Sequence, residues 1–201
     1  MPKNGTIYYK EVENLEKNNK KFKKLNSNLK TKNILDFYID EKYIYVSYVK
    51  RENDCKYLYL AKSKINFTEL LFKDIFSINK ECAGNIQAGR IQKIINNGSS
   101  HILLSTSADS LKGEGQKDFK PQSVDSLYGK IISINSENYS YKIYSKGHRN
   151  ILGLAVINNE IFSTENGPYG GDEINIIKEN KNYGWDIASY GKKYGSNRDG
   201  G

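Results

Sequence analysis

The stretch from Gly147 to Gly191 decides the fold: GHRNILGLAVINNEIFSTENGPYGGDEINIIKENKNYGWDIASYG. Short apolar runs flank the pair Asn158-Asn159, which is a pattern typical of a β-hairpin. The Arg149-Asn150 pair comes just before the first apolar run, and the stretch also holds the only tryptophan, Trp185. The rest of the chain has the pattern of further short strands, which would present this stretch.

A glycine-rich turn between Asn166 and Gly171 leads into two carboxylates, Asp172 and Glu173. Pro168 fixes its own φ and pushes the preceding residue toward extended geometry, while the glycines permit backbone shapes that other residues avoid. Such a turn can direct main-chain carbonyls outward, and carbonyls with carboxylates are the ligands that Ca²⁺ prefers. On spacing alone, a tight turn followed by two solvated acids explains the same residues.

Outside this stretch, apolar runs and polar turns predict a series of short strands at intervals of roughly 50 residues, as in four-stranded propeller blades. Residues 1–32 form a poorly defined polar stretch, with a strand expected over Gly5–Val12 and a loop over Asn14–Lys32. A short strand or a turn of helix is expected within Ile65–Ile75, and a long polar loop over Ala108–Asp125. The predicted strands are Ile34–Ile39, Tyr43–Val49, Lys56–Lys62, Gly89–Ile95, His101–Thr106, Tyr128–Ile134, Tyr141–Tyr144, Gly153–Val156, Glu160–Thr164 and Glu173–Ile177.

The charge balance is basic, with 31 Lys and Arg against 23 Asp and Glu among 201 residues, a length that suits one domain. Much of the excess lies in Lys17–Lys32. A basic balance can indicate nucleic-acid binding, but no basic groove with interleaved aromatics supports it, so we expect no nucleic-acid partner. No apolar run approaches the ~18 residues of a membrane helix, so we expect no membrane span.

The two cysteines, Cys55 and Cys82, are far apart and lie near no histidine pair, which excludes a zinc site of the usual spacing. A single disulfide and two free thiols both remain open at this point, and neither indicates the compartment. The first twenty residues lack the apolar segment of a secretory signal.

The stretch resembles the soluble glucose/sorbosone dehydrogenase family, whose members use pyrroloquinoline quinone (PQQ). The resemblance implies an all-β fold, a six-bladed β-propeller of which this chain holds about three blades, from the second to the fourth. It also implies one domain over residues 1–201, which we expect to be a fragment or a form that pairs. The matching residues are Gly147 to Asn150, Gly153-Leu154, Glu165, Gly167-Pro168, Gly170 to Asn175, Ile177 and Asn182 to Trp185.

The family's activity is the oxidation of the anomeric C1 hydroxyl of aldoses by hydride transfer to Ca²⁺-bound PQQ. The resemblance therefore implies a small sugar substrate and the cofactors PQQ and Ca²⁺. Arg149 and Asn150 match the pair that contacts PQQ, whose carboxylates need cationic partners. An ordinary surface arginine is the alternative for Arg149.

The same resemblance assigns residues to calcium. Gly167 and Pro168 match the turn whose carbonyls bind the cofactor's Ca²⁺. Glu173 and Tyr183 match ligands of a second, structural Ca²⁺ that some members of the family hold. A solvated acid at the end of a strand is the alternative for Glu173.

The chain departs from the family at the catalytic base. The family has a histidine where this chain has Ile86, just before Gly89-Arg90, and an isoleucine cannot accept a proton; a general base is worth ~10²–10⁴-fold in rate. Leu152 replaces a polar residue near the cofactor, and His148 is expected to be a packing residue. No catalytic residue is therefore assigned.

The alternative function is a catalytically inactive propeller that binds a carbohydrate, a cation or a protein. An unrelated interaction propeller has only the repeat spacing in its favour. The family is usually exported to the periplasm, yet no signal is present, so the sequence leaves the compartment open. Self-association or further blades would close the ring.

Overall fold

The computed structural model describes residues 6–10, 22–31, 33–96, 98–108 and 120–192. These residues form mainly antiparallel sheets joined by turns, as the alternating apolar pattern predicts. The predictions for the turn residue Asn97, for loop residues 109–119 and for the tail from Tyr194 to Gly201 lie outside the described residues, as does much of the N-terminal stretch. No described helix is long and apolar enough to cross a membrane.

The first four-stranded sheet, blade A, has its strands in the order β3-β4-β5-β7. Asp40 sets the turn between β3 and β4, since its Oδ1 accepts hydrogen bonds from the amides of Lys42 (2.8 Å) and Tyr43 (2.7 Å). The strands of this sheet are β3 (Ile34–Ile39), β4 (Tyr43–Glu52), β5 (Cys55–Lys64) and β7 (Lys73–Ala83). A separate three-stranded sheet consists of β1 (Ile7–Tyr9), β2 (Lys23–Ser27) and β6 (Glu69–Leu70).

Two further sheets follow along the chain. Blade B orders its strands β8-β9-β10-β11 and adds β15 in parallel beyond β11, while blade C contains β12-β13-β14. Asn158 and Asn159 join β12 to β13 with φ of 50° and 65°, as a two-residue hairpin turn requires. The strands are β8 (Ile91–Asn96), β9 (Ser99–Ser105), β10 (Lys130–Asn135), β11 (Tyr141–Lys146), β12 (Ile151–Ile157), β13 (Glu160–Glu165), β14 (Glu173–Ile177) and β15 (Lys181–Asn182).

The first strands of the three blades, β3, β8 and β12, lie side by side. The amide of Ile91 donates to Asp36 Oδ2 (2.9 Å), and Gln92 Nε2 donates to the carbonyl of Leu154 (3.0 Å), so polar bonds link blade A to B and B to C. These strands begin at intervals of about 60 residues rather than the predicted 50.

Apolar side chains fill the spaces between the blades. One cluster lies between blades A and B, and a second lies between blades B and C. This face-to-face stacking is the arrangement of successive propeller blades. The first cluster includes Tyr45, Leu58, Leu60, Ile86, Ile91, Ile102, Leu104, Tyr128 and Ile132; the second includes Ile94, Leu103, Ile131, Ile151, Leu154, Ile161 and Ile177.

Two parts of the N-terminal half correct the predictions. The polar stretch expected to be a loop contains β2, which pairs with β1 through the register Leu25↔Ile7. Leu25 is buried on blade A beside Val46, and one buried leucine among exposed lysines gives too little alternation to be recognised. The expected short strand or helical turn within Ile65–Ile75 is β6 and the beginning of β7, which continues to Ala83.

A disulfide joins Cys55, at the start of β5, to Cys82, near the end of β7, across 27 residues of sequence. The structure thus settles the question that the spacing left open. A crosslink of this span restricts the unfolded chain more than the folded one. It ties the neighbouring strands β5 and β7 of blade A together at one end.

We expect the double variant Cys55→Ser, Cys82→Ser to lose about 3 kcal/mol of unfolding free energy, because the unfolded chain regains its loop entropy. Urea unfolding of the oxidised protein, with and without reductant, measures this loss. The double variant serves as the control, since reductant should leave its midpoint unchanged. An oxidised protein whose midpoint did not respond to reductant would contradict the expectation.

Candidate cofactor and cation site

Arg149 lies in the connection between β11 and β12, where its side chain is buried rather than solvated. Its Nη1 donates to the carbonyls of Asn166 (2.9 Å) and Gly167 (3.1 Å), and its guanidinium lies over the ring of Trp185, 5.2 Å from the centroid. Only 9% of the residue is exposed. The alternative of an ordinary surface arginine is therefore wrong.

Gly147 allows the chain to enter this connection. Its φ is +75°, and a Cβ on it would collide with Asn182 Oδ1. The carbonyl of Gly147 accepts a hydrogen bond from the amide of Trp185 (2.9 Å), and Gln122 Nε2 donates to the carbonyl of Trp185. A side chain at position 147 would therefore push Trp185 away from Arg149.

Glu165, at the end of β13, holds the region before β12 in place. Its Oε1 lies 2.7 Å from His148 Nδ1, and its Oε2 accepts a hydrogen bond from the amide of Arg149 (3.0 Å). Asn175 Nδ2 also donates to Oε1 (3.3 Å). In the sequence, Glu165 stands out only as part of a motif. The one signal that Glu165 faces the interior is its position at the end of an apolar strand.

His148 is fully buried, as expected of a packing residue. Its Nε2 lies 2.8 Å from Ser145 Oγ, and its ring stacks on Tyr183 with 4.7 Å between centroids. Because both ring nitrogens have partners, the imidazole is fixed in one orientation. It is a structural support for Arg149 rather than a base open to substrate.

The glycine-rich turn closes on itself. The amide of Gly167 donates to Asp172 Oδ1 (2.9 Å), so Asp172 is a turn-closing acid. Tyr169 and Lys192 exchange two backbone hydrogen bonds of 3.1 Å, which fix the far side of the turn. Gly171 has φ of +70°, and a Cβ there would collide with the amide of Gly191.

Four of the residues assigned by resemblance line one narrow recess with Glu165 and Trp185. The recess has room for about one water molecule. Asn150 and Pro168 border the same segments without lining it, and Ile86 lies elsewhere. The four residues are Arg149, Gly167, Glu173 and Tyr183.

The side chains of Glu173 and Tyr183 both have protein partners. Glu173 Oε2 accepts from Asn175 Nδ2 (2.9 Å). The Tyr183 hydroxyl donates to the carbonyl of Ile176 (2.7 Å) and accepts from the amide of Lys178 (2.8 Å). Burial and the charge of Glu165 raise the pKa of Tyr183, so the phenol stays neutral. A cation would therefore meet Tyr183 through its main chain.

The recess suits a hard cation. Two carboxylates, Glu165 and Glu173, face one guanidinium, that of Arg149, which leaves an excess of one negative charge beside the carbonyl of Gly167. Oxygen donors with surplus negative charge are what Ca²⁺ binds. Among the described residues, no group of three or more His, Cys, Asp or Glu side chains is arranged for a metal, so main-chain oxygens would have to contribute.

An anionic cofactor has one cationic partner in this recess, Arg149. Its planar guanidinium is suited to a carboxylate or a quinone oxygen. The residues therefore fit PQQ in part: they supply the guanidinium and a cation site, whereas a group with several carboxylates needs further positive charge and more room than this recess offers.

Ile86 belongs to the core between blades A and B, with 7% of its surface exposed. The amide of the next residue, Gln87, donates to Ser107 Oγ (3.1 Å), which holds the segment against blade B. Isoleucine at this position adds apolar packing and provides no proton acceptor.

Comparison with known proteins finds two dehydrogenases among the relatives of this chain. Aldose sugar dehydrogenase YliI of Escherichia coli (strain K12) is 30% identical over 139 residues, which are 61% of this chain and 35% of that protein. Quinoprotein glucose dehydrogenase B of Acinetobacter calcoaceticus is 34% identical over 88 residues, 37% of this chain and 18% of that protein. This chain thus spans well under half the length of these two relatives.

Solved structures confirm the fold. The apo form of the soluble aldose sugar dehydrogenase from Escherichia coli matches with a TM-score of 0.63 at 24% identity, over 77% of this chain and 48% of that one. The PQQ-bound form of aldose sugar dehydrogenase from Streptomyces coelicolor matches with a TM-score of 0.56 at 23% identity, over 75% and 45%. The predicted all-β partial propeller is therefore correct.

The profile of the Glucose / Sorbosone dehydrogenase family matches residues 10–200, nearly the whole chain. The match includes the blades as well as the recess around Arg149. The chain belongs to the Glucose / Sorbosone dehydrogenase family.

Proposed function

We propose that this chain is part of a PQQ-dependent aldose dehydrogenase-like protein, which oxidises the anomeric C1 hydroxyl of a sugar by hydride transfer to Ca²⁺-bound PQQ. The observation that carries the proposal is the single recess in which Arg149 meets the carbonyl of Gly167. Membership of the family and similarity to the dehydrogenases described above support it.

In this proposal Arg149 and Asn150 hold PQQ, and the carbonyls of Gly167 and Pro168 bind its Ca²⁺. When bound, the cofactor supplies a quinone that accepts hydride, and the cation polarises its oxygens. The guanidinium of Arg149 is oriented in advance by the carbonyls of Asn166 and Gly167 and by the ring of Trp185, so little side-chain entropy is lost on binding.

Glu173 and the main chain of Tyr183 hold a second, structural Ca²⁺ in this proposal. A six-bladed ring needs about three more blades than this chain contains. We infer that they come from further residues of a longer protein or from a second copy. PQQ binding at this recess would require these blades to add positive charge.

The burial of Ile86 favours the alternative, a catalytically inactive propeller that binds a carbohydrate, a cation or a protein. The base of the family's reaction is missing at this position, and the fully buried His148 does not replace it. In this alternative the recess keeps its binding role and loses turnover.

An aldose oxidation assay with PQQ, Ca²⁺ and an artificial electron acceptor separates the two functions. Turnover by the unaltered protein supports the dehydrogenase and means that another residue takes the proton. PQQ binding without turnover, with turnover recovered in Ile86→His, identifies a disabled enzyme. Because Ile86 is a core residue, folding of the variant is checked by circular dichroism. Absence of PQQ binding in the protein with all its blades would overturn the cofactor assignment.

Replacement of Arg149 by Met is expected to weaken PQQ binding at least tenfold, because a buried charge-assisted hydrogen bond is worth about 1.5–3 kcal/mol. Equilibrium dialysis against PQQ in the presence of Ca²⁺ measures the change. Arg149→Lys keeps the charge but loses the planar fork, so it should recover only part of the affinity. Arg51→Met, at an exposed arginine of blade A, is the control. Equal affinities for all four proteins would show that Arg149 does not contact PQQ.

A further inference from the structure

A second concave site lies at the other end of the blades. The turn between β3 and β4 and the second half of β8 enclose an open cleft of about 540 Å³, within the range of small-molecule sites. Tyr38, Tyr43, Lys93 and Ile95 are among its lining residues. The recess around Arg149 lies before the start of β12, whereas this cleft lies beyond the end of β3. The two sites are therefore separate.

An ion pair between blades forms the polar centre of the cleft. Lys93 Nζ, on blade B, lies 2.6 Å from Asp40 Oδ2, on blade A, and the two side chains are 29% and 14% exposed. Asp40 is held in place because its other carboxylate oxygen, Oδ1, accepts hydrogen bonds from the turn amides. Burial acts to raise the pKa of Asp40, but the hydrogen bonds from Lys93 and from these amides outweigh it, so the pKa is lowered overall. The pair places a donor and an acceptor side by side at the cleft wall.

This pair suits adjacent hydroxyl groups. The bond to Asp40 uses one of the three N–H groups of Lys93. A hydroxyl both donates and accepts, so two neighbouring hydroxyls of a sugar can donate to Asp40 Oδ2 and accept from Lys93 together. A ligand with a single charge would instead compete with the existing pair.

The lining as a whole has no net charge, and it includes apolar surface. Glu41 and Lys42 balance each other, as do Asp40 and Lys93. Ile95 is 67% exposed, and the ring of Tyr43 is fixed by the ammonium of Lys62, 4.0 Å from its centroid. Aromatic and aliphatic surface beside a diol-binding pair complements the C–H face and the hydroxyls of a sugar ring.

We propose that this cleft binds a neutral saccharide. Both walls of the cleft belong to blades that this chain contains, so the site does not require further blades. It does not rest on the proposed PQQ chemistry either, because no residue of the recess takes part.

Titration of the ¹⁵N-labelled protein with methyl α-D-glucopyranoside, without PQQ or Ca²⁺, tests the proposal by NMR. This probe has no free anomeric hydroxyl, so it cannot be oxidised at C1 and reports binding alone. We expect saturable amide shifts within residues 38–43 and 93–95, with a Kd on the order of 1 mM for such an open site. A methyl glucuronide, which is anionic, should bind no more tightly.

Lys93→Met is expected to weaken binding of the glycoside about tenfold, because it removes the hydrogen-bond donor. Asp40 should keep its position, since the amides of the turn still bind its Oδ1. The matched control is Lys50→Met, which breaks another partly exposed Lys–Asp pair of blade A, 2.9 Å to Asp74, outside the cleft. The control should bind as the unaltered protein does. The proposal is overturned by absence of saturation at about 50 mM glycoside, by shifts confined to the recess, or by equal weakening in both variants.

Discussion

Replacing Lys130 by Met is expected to lower the free energy of unfolding by about 3–5 kcal/mol, one of the largest effects of any single change in this chain. Lys130 is fully buried at the start of β10, and its Nζ donates to the carbonyls of Lys120 (2.7 Å), Pro121 (3.1 Å) and Tyr128 (2.7 Å). Methionine fills the space of the side chain but leaves all three buried carbonyls without this donor.

Urea unfolding of the variant measures the loss, with Lys142→Met on the neighbouring strand β11 as the exposed control. The control should change stability by no more than about 0.5 kcal/mol. A Lys130→Met protein as stable as the control would show that the three carbonyls find other donors at no cost.

The same lysine predicts a dependence of stability on pH. Burial lowers the pKa of Lys130 to about 7, an effect that the negative charge of Glu81 offsets in part and the positive charge of Lys146 reinforces. Between pH 7 and the usual pKa of a lysine, the unfolded chain binds more protons than the folded one, so stability rises with pH. The expected slope is up to about 1.4 kcal/mol per pH unit, and it should be absent in Lys130→Met. A slope of the same size in both proteins would assign it to other groups.

Replacing Glu165 by Ala is expected to lower the free energy of unfolding by about 3–5 kcal/mol, because it removes one partner of a buried charged network. His148 Nδ1 and the amide of Arg149 would lose their acceptor in the protein interior. Glu160→Ala, at the exposed start of the same strand, is the matched control and should be nearly neutral.

Glu165 also positions the main chain of Arg149. A measurement of PQQ binding can separate this positioning role from the effect of Glu165 on stability. At a temperature where all variants are folded, Glu165→Gln should bind PQQ more weakly than the unaltered protein, since an amide offers one acceptor oxygen in place of two. Unchanged affinity in a folded Glu165→Gln protein would limit this residue to a structural role.

The strands of this protein were largely predictable because their signals are local. Asn158-Asn159 between two apolar runs fixes a hairpin, and the structure has its turn at those residues. The strand β2 was not predicted because Leu25 is its only buried residue. The burial of Leu25 depends on packing against the neighbouring blade A, which no local pattern shows. The burial of Arg149 could not be predicted from its neighbours in sequence, because the carbonyls that its side chain contacts belong to the turn after β13.

The candidate site required long-range packing that no local pattern contains. Gln122, from the segment before β10, bonds to Asn182 and Trp185 some sixty residues later and so holds Trp185, which lines the recess. The role of Glu165 arises in the same way, from residues on three different segments. Motif spacing placed Gly167 and Glu173 in one region, and only the folded chain brings them to one recess with Arg149.

The most direct test of the central claim uses Trp185, the only tryptophan of the chain, whose ring lies against Arg149. Its fluorescence is followed while PQQ is added to the protein with all its blades, with Ca²⁺ and with a chelator. We predict saturable quenching that requires Ca²⁺ and is lost in Arg149→Met. Fluorescence that stays constant, or that changes equally with and without Ca²⁺, would contradict a calcium-dependent PQQ site at this recess.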